Sequence, residues 1–196
     1  MDFVATVVVK KAELRAEALA RRDALSPEAR VAAADAIAAR PLPVEPGPGA
    51  IVSGFMPIRS EINPLPLLRR YADAGARLAL PAIDGRGKPL RLCAWAIGDK
   101  LIAGQWGVRE PDAAAPEADP DIMLVPLAAF DRRGHRIGYG AGYYDMTIAA
   151  IRAKKPVIAI GIAFAVQEAA EVPILPHDAR LDLVLTEKEL IDCRGA

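Results

Sequence analysis

The stretch DIMLVPLAAFDRRGHRIGYGAGYYDMTIAAIRAKKPVIAIGIA, residues 121–163, decides the fold class. Asp121 to Pro126 is apolar after its first residue and short, the pattern of a buried strand. Tyr143 to Ala153 carries apolar residues at helical spacing, and Pro156 to Ala163 is again nearly continuous in apolar side chains. A strand, a helix and a second apolar strand describe a crossover unit, whose strands lie parallel and are covered on both faces. The expectation is an α/β domain with an open, largely parallel layered sheet and flanking helices.

Between the first strand and the helix lies FDRRGHRIGYGAGYYD, Phe130 to Asp145. Gly138, Gly140 and Gly142 alternate, and backbone with positive φ can turn several N–H groups toward one point. Such a concavity suits phosphate oxygens. Arg133 and Arg136 can supply guanidinium forks, and Asp145 can hold a cation bridging phosphates. The loop lacks the Gly-Lys-Ser/Thr ending of a Walker A motif. It also lacks the third glycine of a dinucleotide fingerprint, since Tyr143 stands there. A plain strand-to-helix turn explains the glycines alone equally well; the arginines, tyrosines and aspartate favour a nucleotide phosphate cradle.

Outward from this unit, Lys10 to Ala24 reads as a helix with Leu14, Ala18 and Leu25 near one stripe. Ser26-Pro27 is an N-cap followed by proline at the first helical position, opening a helix to about Arg40. Pro41 to Pro48 is a loop, Ala50 to Phe55 a strand, and Asn63-Pro64 opens a helix ending near Gly75. Arg77 to Leu80 and Leu90 to Ala96 are further strands. The segment from Asp84 to Pro120 breaks the alternation, as a hairpin insertion or antiparallel extension would. Leu183 to Thr186 is a last short strand, with a brief helix or turn after it.

The chain has 196 residues with 25 basic and 25 acidic side chains, so one domain is expected and no basic surface for nucleic acid is foreshadowed. Two cysteines, Cys93 and Cys193, make no disulfide framework, and two histidines make a histidine-rich zinc site improbable. MDFVATVVVKK places its lysines after the apolar run, unlike a secretory signal, and no later run has the length to cross a bilayer. A cytoplasmic protein with no membrane partner is expected. No heptad or interface stripe is present, so a monomer is expected.

In this order the pieces resemble the 5-formyltetrahydrofolate cyclo-ligase family, also called methenyltetrahydrofolate synthetase. The likeness rests on Lys11 with Arg15, FMPIRSEI at Phe55 to Ile62, and the Gly-x-x-Gly-Val-x-Glu-Pro segment at Gly104 to Pro111. It continues through VPLAAFDRRGHRIGYGAGYYD at Val125 to Asp145, then Ile160 to Gln167, and HDARLDLVLTE at His177 to Glu187. The resemblance implies a fold like that of ribose-phosphate isomerase and CoA-transferase domains. It also implies closure of 5-formyltetrahydrofolate to 5,10-methenyltetrahydrofolate, with ATP as co-substrate, Mg2+ as metal and ADP and phosphate released.

Site residues follow from the same resemblance. Lys11 and Arg15 fall at the ATP site, with Arg136, Ile137, Gly138, Tyr139, Gly140, Ala141, Gly142, Tyr143 and Tyr144 as the nucleotide and phosphate segment. Ala141 stands where relatives often carry glycine or lysine, so no ammonium comes from that position. Glu61 is the folate-contacting glutamate, with Met56, Tyr143 and Tyr144 on the substrate side. Arg136, Tyr143 and Asp145 are the residues nearest the chemistry; Asp145 and Asp182 are the magnesium positions. Trp106 is a candidate for the pterin slot or for packing on the sheet. His177-Asp178 is read as a loop feature rather than an acid–base pair. Without the resemblance, Lys11 and Arg15 would be a solvated helix face, and a binding protein or a sugar-phosphate isomerase on the same scaffold would stay open.

Overall fold

The computed structural model describes residues 3–104 and 107–195. The chain forms α1 (Phe3–Asp23), α2 (Pro27–Ala39), β1 (Ile51–Ser53), α3 (Leu65–Asp73), β2 (Arg77–Ala82), β3 (Arg91–Trp95), β4 (Ile102–Ala103) and β5 (Arg109–Glu110). These are followed by β6 (Ile122–Pro126), β7 (Ala129–Phe130), β8 (Arg136–Ile137), α4 (Tyr143–Arg152), β9 (Ile158–Ile162), β10 (Leu183–Leu185) and β11 (Leu190–Asp192). Seven strands make one sheet in the order β11-β10-β9-β6-β1-β2-β3. The five inner strands are parallel, and β3 and β11 are antiparallel edges.

Alternation along the central strands divides the core. Ile122, Leu124, Ile160, Ile162, Leu183 and Leu185 point to one face, against Ala33, Ala34 and Ile37 of α2 and Leu67, Leu68 and Tyr71 of α3. Met123, Val125, Ala159 and Val184 point to the other, against Ile148 and Ile151 of α4. Both faces are therefore dry, which is why these strands read as continuous apolar runs. Ser26 caps α2 through its side chain, accepting from the Ala29 N–H at 3.2 Å.

Several expectations are corrected. α1 begins by Phe3, not Lys10, taking in the valine run. β-branched residues are mediocre helix formers, and here packing of the buried Val7 outweighs that preference. The last element is a strand, β11, because the chain turns at Thr186 and pairs back on β10. β3 extends the sheet antiparallel, while β4 and β5 form a small separate hairpin. The glycine motif contains a further ladder, β7 with β8, too short to show a period.

The order of strands fixes where a ligand belongs. From β1 the chain moves to β2 on one side and later returns to place β6 on the other. The reversal between β1 and β6 is a topological switch point, and open α/β sheets bind ligands outside the carboxyl ends of strands at such a point.

Candidate active site

A cleft of about 670 Å³ opens at that place. Phe55 and Met56 follow β1, Pro126 ends β6, and Pro81 and Ile83 come from the end of β2 and just beyond it. The continuous run Arg136 to Asp145 supplies another wall, and Val8, Lys11, Ala12 and Arg15 of α1 a third. Apolar side chains make the body of the cleft; Glu61 and Glu110 place carboxylates in its lining.

The glycine loop is shaped for close approach at two positions. Gly140 has φ 100° and Gly142 φ 69°, both in the region that L side chains avoid. Gly142 is also the N-cap of α4 and brings no side-chain acceptor. The first turn of α4 therefore presents its orphan N–H groups and the positive end of its dipole without an internal cap. An anion fits such an end.

Arg136 is the central cation. It is only 6% exposed, and its Nη2 donates to Asp145 Oδ1 at 2.8 Å. The Asp145 oxygen also accepts from the Ala179 N–H at 3.0 Å. Burial pulls the Arg136 pKa down, with the Asp145 carboxylate opposing that shift. Arg136 Nε is buried with no protein partner, an unmet donor beside the cleft. From α1, Arg15 Nε donates to the Gly138 carbonyl at 2.7 Å, and Lys11 pairs with Asp178.

The carboxylate Glu61 sits in a tight turn. Its Oε2 accepts from the Ile58 N–H at 2.8 Å, and its own N–H donates to the Ile58 carbonyl at 3.1 Å. Arg59 inside this turn has φ 53°, a strained choice for a side chain with a Cβ. Burial pushes the Glu61 pKa up, while hydrogen bonds from Tyr139 and Ile58 and the charges of Arg22 and Arg59 oppose it. Tyr144 is pushed up by burial and then by the Glu61 charge.

The cleft thus gathers Lys11, Arg15, Met56, Glu61 and every residue from Arg136 to Asp145. Asp182 is not among its lining residues, which corrects the expectation of a second carboxylate beside Asp145. Asp182 stands at the amino end of β10, where Oδ2 accepts from Arg152 at 2.7 Å and from the Ala159 N–H at 2.8 Å. Those bonds tie β10 to β9 and α4 at the end of the sheet opposite the cleft. Arg133 is likewise turned away, toward Asp131 and Glu171. Ile137 buries its side chain with Ala18, so its side of the cleft is supplied by backbone. Trp106 lies outside the described residues. Among the described residues no group of three His, Cys, Asp or Glu side chains is placed to hold a metal.

Sequence reasoning missed Arg22, Glu110 and the cleft-side role of Asp178. Arg22 was hidden in an ordinary basic helix end, although Lys11, Arg15, Ala18 and Arg22 keep one helical stripe.

Comparison with known proteins settles the family. A 5-formyltetrahydrofolate cyclo-ligase profile matches residues 7–187. The chain belongs to the 5-formyltetrahydrofolate cyclo-ligase family. It is 36% identical over 148 residues to the 5-formyltetrahydrofolate cyclo-ligase of Mycolicibacterium smegmatis, covering 71% of this chain and 75% of that one. With the Escherichia coli K12 enzyme of the same name it shares 28% over 177 residues, covering 87% and 96%. The NMR structure of Aquifex aeolicus 5,10-methenyltetrahydrofolate synthetase superposes with a TM-score of 0.77 at 27% identity, over 95% of this chain and 94% of that one. The 5,10-methenyltetrahydrofolate synthetase of Mycoplasma pneumoniae shares the fold, with a TM-score of 0.67 at 19% identity. This cyclo-ligase chain carries no helix long and apolar enough to cross a membrane among its described residues.

Proposed function

We propose that the chain closes 5-formyltetrahydrofolate to 5,10-methenyltetrahydrofolate at the expense of ATP. The observation that carries this is one cleft at the sheet's switch point, with a cationic glycine loop on one wall and a half-buried carboxylate, Glu61, set in its apolar lining. The first suits a triphosphate and the second a pterin, whose N–H groups need an acceptor.

A formamide oxygen leaves poorly. Transfer of the γ-phosphoryl group to the formyl oxygen forms a P–O bond, breaks the bond to ADP, and leaves the formyl carbon electrophilic. The second folate nitrogen then attacks that carbon, gives up its proton, and the C–O bond breaks with release of phosphate. Phosphoryl transfer asks chiefly for alignment and charge stabilisation. Arg136 and the open end of α4 stabilise charge on the transferring group, and Lys11 and Arg15 hold the remaining phosphates. Tyr143 and Tyr144 border both ligands, and Met56 lies against the pterin.

Asp145 is the residue that fits magnesium, because this ion is commonly held by one or two carboxylates together with water and substrate phosphates. When bound there, the ion would supply positive charge that partly neutralises the phosphates. In Asp145→Asn, half-maximal activation should need roughly tenfold more magnesium, the scale of one lost charge-assisted contact. Asp182→Ala should leave that titration in place and instead lower stability by about 1–2 kcal/mol, through the loss of two hydrogen bonds. Magnesium activation and thermal unfolding of the two variants separate these roles; a shifted titration in Asp182→Ala would return Asp182 to the metal. A cytoplasmic, monomeric enzyme of one domain completes this assignment.

The direct test mixes the chain with ATP, magnesium and 5-formyltetrahydrofolate, following methenyl absorbance and inorganic phosphate together. Equal amounts of the two products are expected. Binding of both ligands without either product would make the chain a binding protein, and cyclisation without phosphate release would remove the proposed activation step.

A further inference from the structure

Arg22 is 2% exposed, a costly place for a guanidinium unless it is fully used. Its Nε donates to Ser60 Oγ at 3.0 Å and its Nη1 to the Tyr139 hydroxyl at 2.5 Å. The guanidinium also lies 5.8 Å from the centre of the Tyr139 ring. Ser60 in turn donates to Asp23, closing the group on α1. A hydroxyl that accepts from Arg22 has its one proton free to give, and Tyr139 lines the same cleft as Glu61, whose charged form it favours. Arg22 therefore holds Glu61 from two sides: through Tyr139, and through Ser60, the residue before it in the chain.

We propose that Arg22 is a positioning residue for the substrate half of the cleft, fixing Tyr139 and the Ser60 turn so that the Glu61 carboxylate is presented to the reduced pterin. This rests on the ligase assignment above and extends it, since Tyr139 otherwise counts only as part of the phosphate loop. Two turns earlier on the same helix stripe, Arg15 holds the Gly138 carbonyl. α1 thus grips adjacent residues of the glycine loop at both positions, one grip serving the nucleotide and the other the substrate.

The groups facing Glu61 are Tyr139, Arg22, Arg59 and Tyr144. Tyr139 and the two arginines favour its charged form against burial. Removing the Tyr139 hydroxyl takes away the largest of these supports, so Glu61 keeps its proton to higher pH. Folate affinity that depends on the carboxylate is then lost at a higher pH on the acid side.

The experiment titrates 5-formyltetrahydrofolate and, separately, ATP into wild type, Tyr139→Phe, Arg22→Lys and Glu61→Gln across a pH series. Tyr139→Phe should weaken folate binding about tenfold at neutral pH, the scale of one hydrogen bond to a charged group. It should move the acid limb upward and leave ATP affinity within about twofold, because the loop backbone is untouched. In a Glu61→Gln background the same substitution should cost folate affinity clearly less, since the charge-assisted bond it removes is already reduced to a neutral one. Arg22→Lys, which keeps charge but loses the fork, should weaken folate binding more than ATP binding; Tyr139→Phe carries the test if that variant folds poorly. An unchanged affinity and acid limb in Tyr139→Phe, or an equal loss with and without Glu61, would overturn the proposal. If wild type turns over and Tyr139→Phe matches it, only this proposal falls; if wild type takes up no folate, the ligase assignment falls with it.

Discussion

Arg136→Lys is expected to lower kcat by about 10²–10³-fold, the range for removing one preorganised donor from a developing negative charge. Lysine keeps a positive charge near Asp145, so the fold has its ion partner. What it loses is the planar fork: one nitrogen bonds Asp145 while another, Nε, is buried beside the cleft with no protein acceptor. Arg136 lines the cleft, and its fork is the part of the side chain that a lysine cannot replace there. The KM for folate should change far less than kcat, because Glu61 and the apolar walls are unaffected. Methenyl formation under saturating ATP measures this directly. A variant with nearly wild-type kcat would reduce Arg136 to a structural ion pair.

The second large effect concerns the turn that carries the loop. Gly134→Ala should destabilise the fold by about 2–4 kcal/mol, combining a left-handed backbone with overpacking. Gly134 has φ 84°, and an added Cβ would lie 2.4 Å from the Leu181 carbonyl oxygen and 2.9 Å from the Cys193 side chain. The obstructing atom is backbone, and that carbonyl belongs to the segment leading into β10. Its neighbours leave little room to retreat: the Leu181 N–H donates to the Gly134 carbonyl, and Asp131 accepts from the N–H groups of Arg133, His135 and Val172. Thermal unfolding should shift downward by roughly 5–15 °C for a chain of this size. An unchanged melting temperature would show that the β7–β8 turn moves freely, against this account of the loop's rigidity.

The strand–helix–strand unit was legible because its period is long and its buried residues are numerous. β6, α4 and β9 each bury enough apolar side chains to outvote local preference. β7, β8 and β11 were not legible, since two or three residues cannot display a period and their pairing comes from distant chain. The direction of β3 was similarly open: antiparallel pairing with β2 is decided by how the chain returns, not by composition.

The candidate site shows the same divide. The residues from Arg136 to Asp145 are contiguous, so one motif places them together wherever the loop goes. Asp182 matched a family position in sequence, but the fold spends its carboxylate on Arg152 and the β9 backbone. Arg22 posed the opposite difficulty: nothing local distinguishes it from the exposed Arg21, and only burial against Ser60 and Tyr139 gives it a role.

The cleft has a temporal consequence for biosynthesis. Arg15 meets Gly138 across 123 positions, and Lys11 meets Asp178 across 167. The ribosome delivers α1 well before these partners. Contacts so far apart close slowly, because chain entropy must be overcome before they contribute. Until then the first helix waits with its cationic stripe unanswered, and an incomplete nascent chain has nothing with which to grip a triphosphate. Competence for catalysis is therefore acquired only once the glycine loop and the segment around Asp178 have been made, rather than piece by piece.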